Sequence, residues 1–272
     1  MSLSDNTSGI SELNSLPTLF LLEGPKFPSF DFKISPSNQS KSFKIKNQPI
    51  YLYPDNNDDN ELFMNDDHAV KTANNVWDAS LILSKFLEKQ CNENKLDFKG
   101  KKVIELGAGK SIPSLTSSIL GASMVTITDA PIVIPEIEKI IKLNGFENNN
   151  VLAKPLDWEN RKDYIPFLID KGPWDFILAA DVVWVDYLIV PLVDSIDVHF
   201  MINILELSTP SYTTLLLCHQ TRTTRSDNML FDTLKKRGWK IQKVSRDELN
   251  LEEGFWKDNV DIYQGQKEQE DI

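Results

Sequence analysis

The sequence predicts an α/β fold: a seven-stranded, mostly parallel sheet with helices on both faces, preceded by an N-terminal β-hairpin extension. Three observations predict it. From residue 101 onward, short apolar runs alternate with segments of helical period, the pattern of a parallel sheet covered on both sides. The first of those runs, Lys102-Val103-Ile104-Glu105-Leu106, leads straight into a glycine turn, Gly107-Ala108-Gly109. The last two strand-like segments lie close together around an acidic loop at 247–254, which reads as an antiparallel hairpin.

Taken in order, residues 1–25 are rich in Ser, Asn and Leu without a sustained period and read as a disordered tail. Residues 26–72 form the β extension, with strands expected at 30–34, 43–46 and 49–53 and a turn at Ser35-Pro36-Ser37-Asn38. Asp55 to Asn60 is an acidic, solvated loop. After Asn75 the apolar spacing becomes helical through Phe86 and Leu87 and opens the main domain, 73–272. Strands follow at 102–106, 124–128, 150–156, 175–183, 213–219, 239–245 and 259–264, with helices at 112–120, 132–144, 161–170, 187–206 and 226–237. Asp186 reads as the N-cap of the fourth of these helices.

Composition narrows the classes. Forty acidic against 29 basic residues give a net charge of −11, which argues against nucleic acid as the main partner. No apolar run approaches the roughly 20 residues needed to span a bilayer, so no membrane role is expected. Two cysteines, Cys91 and Cys218, make neither a disulfide framework nor a metal cluster, and point to a reducing, cytoplasmic or nuclear compartment. His68, His199 and His219 are too scattered for a zinc site. Nothing demands more than a monomer.

In open parallel sheets, ligands sit beyond the carboxyl ends of the strands, where strand order reverses. Gly107, Ala108 and Gly109 end the first strand, Asp129 the second, Asp157 and Trp158 the third, and Ala180 and Asp181 the fourth. The glycine turn lets backbone approach a ligand, and Ser111 with Pro113 then opens a helix whose free N–H groups suit an anion. Asp129, about twenty residues on, is placed to accept hydrogen bonds from ribose hydroxyls. Together these residues describe a Rossmann-like site for an adenosine-containing cofactor. A dinucleotide loop wants a third glycine where this chain has Ile112. S-adenosylmethionine, which has no phosphate, suits the looser loop, and Glu105 within the motif is typical of its binders.

With those residues in hand, the chain resembles the seven-strand methyltransferases of the methyltransferase-like protein lysine group, which modify chaperones, AAA ATPases and elongation factors. The resemblance rests on Val76-Trp77-Asp78-Ala79, Glu105 to Gly109, Thr126 to Asp129, Leu156-Asp157-Trp158, Phe176 to Asp181, Cys218 to Asn228 and Val260 to Tyr263. It implies transfer of a methyl group from S-adenosylmethionine to a lysine of a protein substrate. It also implies donor contacts from Trp77, Gly107, Ala108, Gly109, Asp129, Trp158 and Ala180; Glu105, as part of the loop motif, and Asp157, placed to accept from the adenine amino group, are expected to join them. Asp181 is expected to hold the acceptor amine and Trp184 to flank it by a cation–π contact. Two positions depart from the family pattern: Ser111 stands where a third glycine is usual, and Trp184 where Asp-x-x-Tyr ends. Ser111-Ile112-Pro113 also matches a subgroup with arginine methylation candidates. An arginine or small-molecule methyltransferase, and a donor-binding scaffold, therefore stay open as alternatives. Arg222 and Arg225 read as loop residues that touch substrate or solvent.

Overall fold

The structure, a computed structural model, describes residues 30–33, 42–53, 68–147, 150–206, 213–249, 251, 255 and 257–267, with backbone alone for 68, 168 and 199–206. The expected tail, the Ser35-Pro36-Ser37-Asn38 turn and the Asp55–Asn60 loop lie outside those residues.

Seven strands form one sheet: β3 (Lys102–Leu106), β4 (Met124–Asp129), β5 (Val151–Pro155), β6 (Phe176–Ala180), β7 (Thr214–Gln220), β8 (Lys240–Lys243) and β9 (Val260–Gln266). Their spatial order is β5-β4-β3-β6-β7-β9-β8. β3 pairs in parallel with β4 on one side and β6 on the other, so strand order reverses at β3. β9 runs antiparallel to both β7 and β8, which bears out the terminal hairpin and adds that it is inserted beside β7.

The strands are apolar on both faces because each face has its own core. Along β6, Phe176, Leu178 and Ala180 enter one cluster while Ile177 and Ala179 enter the other. β7 does the same, with Leu216 and Cys218 on one side and Leu215 and Leu217 on the other, the period-two signature of a strand. The first core is closed by α2 (Asp78–Asn92), α3 (Ile112–Ile119) and α4 (Ile134–Leu143). The second is closed by α6 (Ile189–Glu206) and α7 (Thr224–Lys236), with Trp174 and Trp239 buried among them. α5 (Ile165–Lys171) follows β5.

Three helices begin with a 3₁₀ turn that periodicity does not reveal: Pro131–Val133 before α4, Arg161–Tyr164 before α5 and Asp186–Leu188 before α6. Each α-helix that follows carries a proline in its first turn, Pro135, Pro166 or Pro191. A proline has no N–H to give the preceding turn, so a new helix starts there.

The N-terminal extension is more irregular than expected. Its ladder consists of β1 (Lys44–Ile45) and β2 (Gln48–Pro49), joined at Lys46 and Asn47, both at positive φ. Residues 32–33 are a turn; Ile50 still donates its N–H to the Phe43 carbonyl at 2.9 Å, and 51–53 leave the ladder. Tyr51 explains the latter: its N–H and carbonyl are both taken by the side-chain amide of Asn144, at 2.8 and 2.6 Å. Phe43, Ile45, Ile50 and Leu52 are nonetheless fully buried in the first core. A short helix unforeseen from the sequence, α1 (His68–Ala73), lies between this extension and α2.

Among the described residues no helix is long and apolar enough to cross a membrane, and no cluster of His, Cys, Asp or Glu is fit for a metal ion.

Candidate active site

At the carboxyl ends of β3, β4 and β6 lies a cavity of about 460 Å³. Its floor is the glycine turn. Gly107 and Gly109 adopt φ of +61° and +49°, a region that penalises any Cβ. A Cβ on Gly107 would stand 3.0 Å from Val182 Cγ1 and 3.1 Å from Trp158 Cζ2; one on Gly109 would stand 3.3 Å from the Ala73 carbonyl. The turn is held down by Ala108, whose N–H donates to the Thr128 carbonyl at 3.1 Å. Ser111, at the next turn position, is also left-handed at φ +60°. That conformation is the physical reason a glycine suits the position.

Asp129 lines the cavity at the end of β4. Its two carboxylate oxygens accept from the N–H groups of Gly109, at 2.8 Å, and Ala130, at 2.7 Å. Burial pushes its carboxyl pKa up, and these two hydrogen bonds pull it back. Each oxygen keeps a further lone pair for a ligand hydroxyl.

Glu105 does not line the cavity, contrary to the donor contact expected of it. It is fully buried behind the turn, where Oε2 accepts from both the N–H and the hydroxyl of Ser114. Burial raises its pKa to about 8, against the pull of those two bonds, with Asp129 adding to the rise. The first turn of α3 is thus answered inside the protein by a carboxyl of the chain itself, not by an external anion.

Trp158 and Asp157 follow β5. Trp158 forms a wall over Gly107, and its indole N–H has no hydrogen-bond partner among the described residues. Asp157 lines the cavity too, but its carboxylate accepts from Glu159 N–H at 3.0 Å and from the Asn160 amide at 2.8 Å. It closes its own turn.

β6 ends sooner than the sequence suggests because Asp181 turns left-handed at φ +57°. Ala180, Asp181 and Trp184 all line the cavity, as does Trp77 from the start of α2. Trp77 is fixed by its indole N–H, which donates to the Thr72 carbonyl at 3.0 Å. The Asp181 side chain is 1% exposed and forms a two-pronged pair with Arg222, at 2.5 and 2.8 Å. Asp186 is not the N-cap expected of it: its oxygens face the Ser226 hydroxyl at 2.6 Å and Arg225 at 3.2 Å.

A family model described as lysine methyltransferase matches residues 56–237, well over half of the chain. The chain belongs to that family. EEF1A lysine methyltransferase 3 of Xenopus tropicalis is 42% identical over 109 residues, which are 40% of this chain and 44% of that protein. Protein N-lysine methyltransferase METTL21A of Danio rerio is 38% identical over 117 residues, 41% of this chain and 48% of that one. The chain therefore spans under half the length of these two relatives. METTL21A of Mus musculus is 28% identical over a longer stretch, 71% of this chain and 76% of its own. Among solved structures, the ribosomal protein L11 methylase of Lactobacillus delbrueckii subsp. bulgaricus overlays with a TM-score of 0.46 at 13% identity, covering 71% of this chain and 79% of that one, too loose a match to bear on the site.

In this member of the lysine methyltransferase family, Lys110 escapes a reading by strand ends, and Arg222, expected to touch substrate or solvent, pairs with Asp181 instead. Arg222 follows β7 and meets Asp181 only across 41 positions of chain. Lys110, in the glycine turn, is 4% exposed and lines the cavity. Its ammonium sits 3.2 Å from Asn74 Oδ1, 3.3 Å from Glu136 Oε1 and 4.5 Å from the centre of the Tyr53 ring. The signal for it is local: a lysine in a loop meant for close ligand approach needs a partner for its charge.

Proposed function

We propose that the chain transfers a methyl group from S-adenosylmethionine to the ε-amine of a lysine in a protein substrate, as a cytoplasmic monomer. The observation that carries this reading is one cavity holding a glycine turn, a β4-end carboxylate and a buried β6-end aspartate, in a chain of the lysine methyltransferase family. The residues fit an adenosine-bearing donor. The glycine turn leaves the cavity floor free of bulky side chains, and Trp158 gives it a flat apolar wall, which together suit a planar ligand. Asp129 would accept from the ribose hydroxyls, Trp158 would stack beside the base, and Trp77 would cover the methionine end.

When bound, the donor supplies a methyl on a sulfonium: as the amine lone pair forms the N–C bond, the C–S bond breaks and its electrons pass to sulfur. The chain must deliver that amine neutral and in line. Free lysine has a pKa near 10.4, so the pocket has to favour loss of its proton, which then passes to solvent. Asp181 would orient the amine by a hydrogen bond, and Trp184 would wall it in. Positioning is then the main catalytic contribution. One relative is an EEF1A lysine methyltransferase, which makes EEF1A the first substrate to try, ahead of a chaperone or an AAA ATPase.

Label transfer from tritiated S-adenosylmethionine into a cytosolic lysate tests the reading. Wild type should label a discrete protein band, and Asp181→Ala should lower labelling by about 100-fold or more while still binding S-adenosylhomocysteine in a titration. Equal loss of binding and transfer in the variant would overturn the role of Asp181. Amino-acid analysis of the labelled band separates methyl-lysine from methyl-arginine.

A further inference from the structure

We infer that Arg222 is a positioning residue that sets the charge of the acceptor pocket, cancelling Asp181 so that an incoming lysine amine can be held there without being held as ammonium. The inference rests on the methyltransferase reading above and deepens it.

Asp181 poses a problem if it stands alone. A bare carboxylate within 4–6 Å of an amine stabilises the protonated form and raises the amine pKa by about 1–3 units. That is the wrong direction for a nucleophile. The fork with Arg222 removes the difficulty: Nη1 meets Oδ1 at 2.5 Å and Nη2 meets Oδ2 at 2.8 Å. The Arg222 side chain is 14% exposed, so solvent screens the pair little. The guanidinium is further tied to the carbonyls of Val183, at 3.4 Å, and Gln220, at 3.3 Å, and lies 5.9 Å from the centre of the Trp77 ring. It is fixed in place by strand ends and by the pocket wall alike. A carboxylate has about four lone-pair positions, and the fork uses two. Asp181 can therefore still accept from an amine while bringing no net charge to it.

No other charge nearby takes that role. The Asp181 backbone N–H donates to the Cys218 carbonyl at 2.8 Å, and the Cys218 thiol is kept protonated by burial and the surrounding carboxylates. Of those carboxylates, Asp78 is paired with Lys257 at 2.8 Å. Asp261 is paired with Lys243 at 2.7 Å and Arg246 at 3.1 Å. Arg222 is the cation that touches Asp181 in the described structure.

The test is the pH dependence of single-turnover methylation. Enzyme in saturating excess, preloaded with tritiated S-adenosylmethionine, is mixed with the lysate, and the initial rate into the labelled band is followed from pH 6.5 to 10. Under these conditions the acid limb reports the amine in the bound complex. Arg222→Gln keeps a hydrogen-bond donor to Asp181 but removes the charge. Its acid limb should move up by about one unit or more, so that it is about tenfold slow near pH 7 and recovers at high pH. Arg222→Lys keeps the charge and loses the fork, and its limb should stay within about 0.3 unit of wild type even if its plateau falls. A purely structural arginine would lower the plateau of both variants and leave both limbs in place; that result, or a limb that moves in Arg222→Lys as far as in Arg222→Gln, overturns the inference. If Arg222→Gln no longer binds S-adenosylhomocysteine, Arg222→Met, which also removes the charge, takes its place: its limb has to move up by about one unit, and a limb that stays overturns the inference. A wild type silent at every pH removes the methyltransferase reading itself, and this inference with it.

Discussion

Gly107 shows how one residue couples backbone shape to a ligand. Its φ of +61° and the 3.0–3.1 Å distances from a notional Cβ to Val182 and Trp158 leave a methyl group nowhere to go. Gly107→Ala would strain the turn by about 1–2 kcal/mol and push Trp158 into the cavity. The expected outcome is S-adenosylhomocysteine binding weakened about tenfold or more, read by calorimetric titration. Glu105 makes a different prediction. Its pKa in the fold is about 8, against an ordinary 4.5, so the folded chain keeps a proton that the unfolded chain has already lost. Its contribution is therefore full below pH 4.5, declines as pH rises and is gone above about 8. Glu105→Gln cannot ionise and should lose less stability between pH 5 and pH 8 than wild type does. Urea midpoints at the two pH values check it, and parallel curves would refute it. Glu105 was legible as part of the motif but not as a buried acid, because its partner Ser114 lies around a turn whose direction the sequence does not display.

α1 and the glycine turn act together as elements. Ala73 approaches Gly109, Thr72 receives the Trp77 indole N–H, and Lys110 reaches Asn74, whose carbonyl also accepts from the Tyr53 hydroxyl at 3.0 Å. Lys110 is the fastening between them. Lys110→Met should leave Glu136 without its buried cation and loosen α1, which lines the cavity through Ala69, Thr72 and Ala73. The expected result is a Kd for S-adenosylhomocysteine about tenfold higher, roughly 1.4 kcal/mol, with the single-turnover rate at saturating donor changed little. An unchanged Kd would show that α1 holds its place without Lys110. At this scale several strands were legible because apolar runs stop at Gly107, Asp129, Pro155 or Asp181, residue types that disfavour a ladder. α1 was not, since six residues carry too little period to register. Nor was the end of the extension, where Tyr51 pairs with the side chain of Asn144 rather than with a strand.

Across the whole molecule, alternation within each strand divides the apolar residues between two cores, and that division orients the site. Ala180 and Glu105 belong to the face packed by α2 and α3, so the strand ends open toward Trp77 and the glycine turn. The crevice followed from the rule for strand order. The charge balance within it did not, because Asp181 and Arg222 meet only after β6 and β7 have paired. The net charge of −11 says nothing of this local neutrality.

The place of β9 bears on how the protein is made. Residues 260–266 fill the gap between β7 and β8, which have no ladder with one another. On the ribosome, β7 and β8 emerge before the strand that joins them. Until residue 266 is out, the apolar segment Leu215-Leu216-Leu217-Cys218 has an unpaired edge, the kind that recruits other chains. A nascent protein of this design stays dependent on whatever shields that edge until β9 itself has left the ribosome.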